Sequence, residues 1–234
     1  MKKFMILAAA CAMAFSSCNG GSAAGSKGNG NKGEIDSVSR AFGITFGYGL
    51  RQTDSMNHMG LNADAVAAGF KEAFSGKNKM TPEQADDYLR EYFMVRMPAR
   101  ALAESQAFLE QVEKENKNVR KTESGLLYEI IEPGSEVKAV SNEDVVRVMY
   151  EGRLKDGTVF DSSYERGDTV EFPLNQVIKG WTEGMKLVGE GGKIKLWIPS
   201  ELGYGMRAPQ VIGPNQALVF EVELVKVTPA AEEE

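Results

Sequence analysis

The chain has 234 residues, 42% of them hydrophobic and 26% charged, ordinary values for one large globular domain or two of average size. A net charge of −6 without a basic cluster argues against nucleic acid as a partner. With one histidine, two cysteines, no Cys/His group at ligand spacing and no glycine-rich phosphate loop, no metal and no cofactor is expected.

Met1-Lys2-Lys3 is a basic start, residues 4–15 are an apolar run too short to span a bilayer, and Ser16-Ser17-Cys18 puts small residues before a cysteine. Residues 1–18 therefore read as an export signal. Their end resembles a bacterial lipoprotein signal with Cys18 as the lipidated residue, although Phe15 stands where such signals usually carry Leu. The alternative is plain secretion, with Cys18 a spare residue. Cys11 is lost with the signal, so Cys18 has no partner for an intrachain disulfide. Asn19 after the cysteine suggests, by the enterobacterial sorting pattern, the periplasmic face of the outer membrane, with the cell surface as an alternative. Several acyl chains on one cysteine make a stable anchor. Residues 19–33 are Gly, Ser, Asn, Ala and Lys, a flexible tether.

Residues 34–121 read as a helical domain. Ile35, Val38, Phe42 and Phe46 step by three and four, and Val66, Phe70 and Phe74 step by four, both spacings of one helix face. Asn62 and Asp64 offer helix starts and Gly76 a stop. Thr81-Pro82-Glu83-Gln84 combines an N-cap Thr, Pro at the first helical position and Gln three after the Thr. From there to Lys117 the only interruption is Pro98, a length that suits a strut or an oligomerisation arm. The Pro98 ring conflicts with the carbonyl of Met94, which predicts a kink or a break. Tyr88, Leu89, Tyr92, Phe93 and Met94 predict that the half before Pro98 packs. Ala101, Leu102, Phe108, Leu109 and Val112 form a thinner stripe after it.

The composition changes at Thr122. Residues 126–131, 145–154, 158–161, 170–174, 193–198 and 218–224 read as strands, with Pro133-Gly134 ending the first and Asp156-Gly157 turning a hairpin. One helical run lies among them, with Ile178, Trp181, Met185 and Val188 on one face. The fold class is α+β: a helical domain, then an antiparallel sheet wrapped on a helix over residues 122–228, then an acidic tail at 229–234.

Chemistry has little to work with. His58 lies far in sequence from the strands, and neither a catalytic cysteine nor a hydrolase triad is available. What remains is Trp181 as a floor, with Tyr150, Phe160, Phe172, Trp197, Tyr204 and Phe220 on the runs around it. The polar members are Tyr150, Asp161 and Tyr204. Taken singly, Trp181 and Phe220 read as core, and Asp161 before Ser162-Ser163 as a turn cap.

Val148-Met149-Tyr150-Glu151-Gly152, Asp156-Gly157-Thr158-Val159-Phe160-Asp161-Ser162-Ser163, Val177-Ile178-Lys179-Gly180-Trp181, Leu202-Gly203-Tyr204-Gly205 and Leu218-Val219-Phe220-Glu221-Val222-Glu223-Leu224 resemble the FKBP-type peptidyl-prolyl cis-trans isomerases. Order and spacing match over roughly eighty residues, a domain-sized span. The helical part resembles the amino-terminal domain of the macrophage-infectivity-potentiator subgroup, and the joining segment Ala107-Phe108-Leu109 to Ser124-Gly125-Leu126-Leu127-Tyr128 resembles its linker. The resemblance implies a twisted antiparallel half-barrel around a short helix. It implies Tyr150, Phe160, Asp161, Tyr204 and Phe220 as catalytic residues, and Val177, Ile178, Trp181, Phe172 and Ile212 as substrate-binding ones. It further implies proline-containing unfolded or partly folded polypeptides as substrates, and a homodimer through residues 34–121. Val170 stands where many members carry a second aromatic, and residues 206–211 lack the His often found there. These departures bear on macrolide binding more than on activity. A holdase chaperone and an inactive scaffold are the competing readings.

Overall fold

The computed structural model describes residues 31–57 and 59–230. The signal, Cys18, most of the tether, His58 and the last four residues of the tail lie outside the described residues. The chain divides into two compact units at Gly49–Leu50, inside α1 (Lys32–Asn57). On α1, Phe42 and Phe46 are one turn apart and stack with ring centroids 6.5 Å apart, both exposed.

The larger unit begins with helices whose ends follow the capping chemistry. Asn62 caps α2 (Ala63–Phe74) by accepting the Ala65 N–H at 2.9 Å. Thr81 and Gln84 form a reciprocal capping box on α3 (Pro82–Glu91): the Thr81 hydroxyl accepts the Gln84 N–H at 3.2 Å, and the Gln84 side chain accepts the Thr81 N–H at 2.9 Å. Pro98 does not break the helical path. A π-helical turn, Tyr92–Arg96, sits just before it, and helical dihedrals run through Met97 into α4 (Met97–Glu115). The wider turn carries the proline ring past the carbonyl that a regular helix would press against it.

Of the apolar residues before Pro98, Tyr92 and Phe93 are half-buried and meet edge to face at 5.3 Å, while Tyr88, Leu89 and Met94 are exposed. The half after Pro98 packs, with Pro98, Ala101 and Ser105 buried at spacings of three and four on one face.

The remaining strands are β1 (Arg120–Lys121), β2 (Leu127–Glu132), β3 (Val145–Leu154), β4 (Val159–Ser162), β5 (Val170–Pro173), β6 (Gly192–Ile198) and β7 (Leu218–Thr228). All pairings are antiparallel, in the order β1-β2-β6-β7-β3-β4, with β5 also on β3. β4 and β5 share one edge of β3. β4 pairs at Glu151–Arg153 and β5 at Val145–Val148, with the single turn α5 (Ser163–Arg166) between them. β1 has no sequence signature because two residues carry no period. One face of the sheet is continuous core: Val146, Val148 and Tyr150 of β3, Ile194, Leu196 and Ile198 of β6, and Leu218, Phe220, Val222 and Leu224 of β7. Trp197, expected among the site aromatics, alternates to the other face of β6. There Lys195 Nζ lies 5.3 Å from its ring centroid.

A short helix, α6 (Lys179–Gly184), lies on the core face. It is shorter than the apolar spacing suggested. Val177 and Ile178 are extended residues ahead of it, and Val188 falls beyond it. Two glycines one turn apart set its distance from the sheet. A Cβ on Gly180 would sit 2.6 Å from the Ile198 side chain, and one on Gly184 would sit 2.7 Å from that of Leu196. The Thr182 hydroxyl donates to the Leu174 carbonyl at 2.6 Å and fixes the helix against the end of β5. Replacing Gly184 by Ala is therefore expected to destabilise. Helix propensity favours Ala by about 1 kcal/mol, but overpacking a fully buried neighbour costs about 1–3 kcal/mol. A lowered urea midpoint is expected; an unchanged or raised one would show that α6 does not press on β6.

Candidate active site

The site is built on Trp181, which α6 holds with 4% of its surface exposed. Tyr150 of β3 meets its ring edge to face at 5.0 Å, Phe220 of β7 at 5.3 Å and Phe172 of β5 at 5.7 Å, each within 7° of perpendicular. Phe160 of β4 meets Phe220 at 5.5 Å and 90°. These are the favoured geometries of aromatic rings, each worth about 0.5–1.5 kcal/mol beyond the area buried. Gly152 leaves room for two of them: a Cβ there would lie 2.6 Å from the Phe220 ring and 2.7 Å from that of Phe160. The indole N–H of Trp181 is buried and has no acceptor among the described residues, so packing alone orients the ring.

A polar edge borders this apolar cluster. The Tyr150 hydroxyl donates a short hydrogen bond to Asp161 Oδ2. Arg166 Nη1 donates to Asp161 Oδ1 at 2.6 Å and Nη2 to the Tyr150 hydroxyl at 3.2 Å, with the guanidinium 5.9 Å from the Tyr150 ring. Two serines shape the turn that brings Arg166 back. Ser162 caps α5, accepting the Glu165 N–H at 3.2 Å, and buried Ser163 accepts the Tyr150 N–H at 2.8 Å. So Ser162, not Asp161, is the turn cap, and the Asp161 carboxylate is left for Tyr150 and Arg166. Arg166 was missed from sequence. Its signal is an isolated cation five positions after Asp161, and only the α5 turn gives that spacing meaning.

Burial and the bond to Asp161 push the Tyr150 phenol up to about 12. Burial raises the Asp161 carboxyl, but the bonds from Tyr150 and Arg166 outweigh it and hold the group below its ordinary range. Burial, then the Asp161 charge, raises Tyr204.

The rim comes from loops. Val177 and Ile178 pack on the core cluster as partly buried residues, and Ile212 belongs to it with 6% exposed. Ile178 is the residue before α6, and its N–H makes no hydrogen bond among the described residues. Tyr204 is 40% exposed. Of the ten residues named from sequence for catalysis and binding, Tyr150, Trp181, Ile212 and Phe220 fall in one core cluster, with Phe160, Phe172, Val177 and Ile178 packed against it. Asp161 and Tyr204 stand at its edge. Ile212 also lines a separate crevice of about 400 Å³, together with Arg100 and Glu104 of α4 and Lys155 of the β3–β4 turn. Among the described residues no group of three or more His, Cys, Asp or Glu side chains is placed to hold a metal ion.

The antiparallel half-barrel on a short helix is the fold that the resemblance to prolyl isomerases implies. The family model described as FKBP-type peptidyl-prolyl cis-trans isomerase matches residues 136–225, and that of the domain amino terminal to such isomerases matches residues 35–130. The chain belongs to the FKBP-type peptidyl-prolyl cis-trans isomerases. It is 42% identical over 207 residues to the probable FKBP-type isomerase FkpA of Neisseria meningitidis, covering 82% of this chain and 74% of that one. It is 35% identical over 208 residues to the peptidyl-prolyl cis-trans isomerase Mip of Coxiella burnetii, covering 84% and 88%. The crystal structure of FkpA from Escherichia coli matches with a TM-score of 0.61 and 35% identity, over 86% of this chain and 99% of that one.

The charge states give a pH profile. From about pH 5 to about pH 9 Asp161 stays ionised and Tyr150 neutral. kcat/KM for an Xaa-Pro peptide is expected to be flat across that window. Because the Asp161 pKa is depressed, activity should persist below the ordinary carboxylate range and fall only as pH drops through the lowered value. A bell-shaped profile inside the window would contradict this assignment.

Proposed function

We propose that the protein assists the folding of exported polypeptides by isomerising X–Pro bonds at the Trp181 cluster. The observation that carries the reading is the set of perpendicular rings around Trp181 with one compensated charge pair at its edge. The barrier to rotation is ~20 kcal/mol because twisting destroys amide resonance. The twisted amide has a less delocalised, less polar carbonyl. A dry apolar site favours it over the planar form without exchanging a proton, and each tenfold acceleration needs about 1.4 kcal/mol of that preference.

In this reading the proline ring sits over Trp181, walled by Phe160, Phe172, Val177, Ile178, Ile212 and Phe220. The unpaired Ile178 N–H and the Tyr204 hydroxyl hold substrate carbonyls. Tyr150 and Asp161 border the amide, and Arg166 compensates the carboxylate charge. Trp181→Ala and Asp161→Leu are each expected to lower kcat/KM at least about tenfold while remaining folded, the Asp161 change because Arg166 loses its partner. Protease-coupled or NMR exchange assays on short Xaa-Pro peptides measure this. Two folded variants as fast as the wild type would sink the site assignment.

A second reading rests on large apolar side chains that are exposed on the helices. Phe42, Phe74, Tyr88, Leu89 and Met94 are exposed. Side chains of this size, repeated at helical spacing, fit burial against another copy. We assign residues 34–121 to a homodimer, whose arms and paired sites also suit a holdase. Analytical ultracentrifugation should give twice the chain mass, and Phe42→Asp with Phe46→Asp should shift it to the monomer with the peptide rate per site retained. A monomeric wild type would overturn the assignment. Attachment to the periplasmic face of the outer membrane is assigned to Cys18; no helix of the described residues is long and apolar enough to cross a membrane.

A further inference from the structure

α4 and the loop that rims the proline site are tied together at Asn215. This is the one non-glycine among the described residues with a left-handed backbone, φ 54°. Asn enters that region more readily than other side chains. Its N–H donates to the Gly205 carbonyl at 2.9 Å, directly beside Tyr204. Its side-chain Nδ2 donates to the Pro98 carbonyl at 3.1 Å and lies 3.2 Å from Met206 Sδ. Its carbonyl accepts the Ser105 hydroxyl at 2.8 Å. The same hydroxyl accepts the Ala217 N–H at 2.9 Å, where the loop enters β7. Ser105 is 1% exposed and shares one face of α4 with Pro98 and Ala101, so these bonds are shielded from water.

These ties add to the packing of Ala208 and Ile212 on the core. Within the loop, Arg207 N–H donates to the Tyr204 carbonyl, and Ile212 and Gly213 N–H donate to the Pro209 carbonyl. These shape turns but do not place the loop over the core. Asn215 holds one end at Gly205 and the other at α4, and Ile212 lies three residues before it.

We propose that Asn215 is a positioning residue for prolyl isomerisation. It sets Tyr204 through Gly205 and Ile212 through the 212–217 loop, and through Pro98 and Ser105 it makes the helical arm part of the rim. This rests on the isomerase reading above. A displacement of α4 then moves the groups that hold the substrate, and small misplacements of such groups cost rate.

The test uses the full chain with two substitutions that do not touch substrate. Asn215→Gly keeps the left-handed backbone available and removes the side-chain contacts to Pro98 and Met206 while leaving the backbone bonds. Ser105→Ala removes the hydroxyl that ties α4 to the Asn215 carbonyl and the Ala217 N–H, and leaves the Pro98 tie in place. kcat and KM are measured on short peptides that differ in the residue before proline, normalised to the folded fraction from near-ultraviolet circular dichroism. Each variant is expected to lose about tenfold in kcat/KM, the size of one lost positioning hydrogen bond, with a changed ranking of the peptides. A merely structural role lowers the active fraction, which reduces kcat for all peptides in proportion and leaves KM and ranking intact. Folded variants with kcat/KM and ranking within about twofold of the wild type would overturn the positioning role alone. An inactive, folded wild type would overturn the isomerase reading, and this proposal with it.

Discussion

The close approach of α6 to β6 is the constraint on which the site depends. Only hydrogen atoms stand at Gly180 and Gly184 where the side chains of Ile198 and Leu196 come within 2.6 and 2.7 Å of a would-be Cβ. That approach sets the height of Trp181 above the sheet. A helix standing a methyl group farther off would carry the indole away from Tyr150 and Phe220, whose rings now sit 5.0 and 5.3 Å from it. Thr182 then fixes the helix along its length, through its bond to the carbonyl where β5 ends. The same economy operates on β3, where Gly152 admits the rings of Phe160 and Phe220.

The electrostatics follow from that packing. An apolar floor disfavours any uncompensated charge nearby, yet the site carries a carboxylate. Asp161 is tolerated because Tyr150 and Arg166 both donate to it, and Arg166 is half exposed, so its other donors reach water. The outcome is an acid that stays ionised beside a phenol that stays neutral. Neither is poised to transfer a proton near neutrality, which agrees with a reaction that breaks no bond.

Much of this was legible in the sequence, for local reasons. The capping box at Thr81 and Gln84, the Asp156-Gly157 turn and the alternation of Leu218, Phe220, Val222 and Leu224 are all decided within a few residues. The strand position of Phe172 and the helix position of Trp181 follow from the same local periods. The failures have physical causes. Trp197 is as aromatic as the site residues, but the strand period places it on the other face. Pro98 announces a conflict with the helix but not its solution, since a π turn depends on how the neighbouring turns are held. Arg166 acquires its role only through the α5 turn. Asn215 and Ser105 stand 110 positions apart, and their bond depends on how α4 lies against the sheet. Exposed Tyr88, Leu89 and Met94 show a further limit: an apolar stripe states that something must cover it, not that the same chain does.

The central claim is that the Trp181 cluster speeds rotation about X–Pro bonds by environment rather than by proton transfer. Magnetisation exchange between the cis and trans forms of a short Xaa-Pro peptide, recorded with the full chain in H₂O and in D₂O, tests it most directly. Exchange well above the buffer rate and equal in the two solvents is expected. A folded protein that leaves exchange at the buffer rate, or one whose catalysis slows severalfold in D₂O, would contradict it.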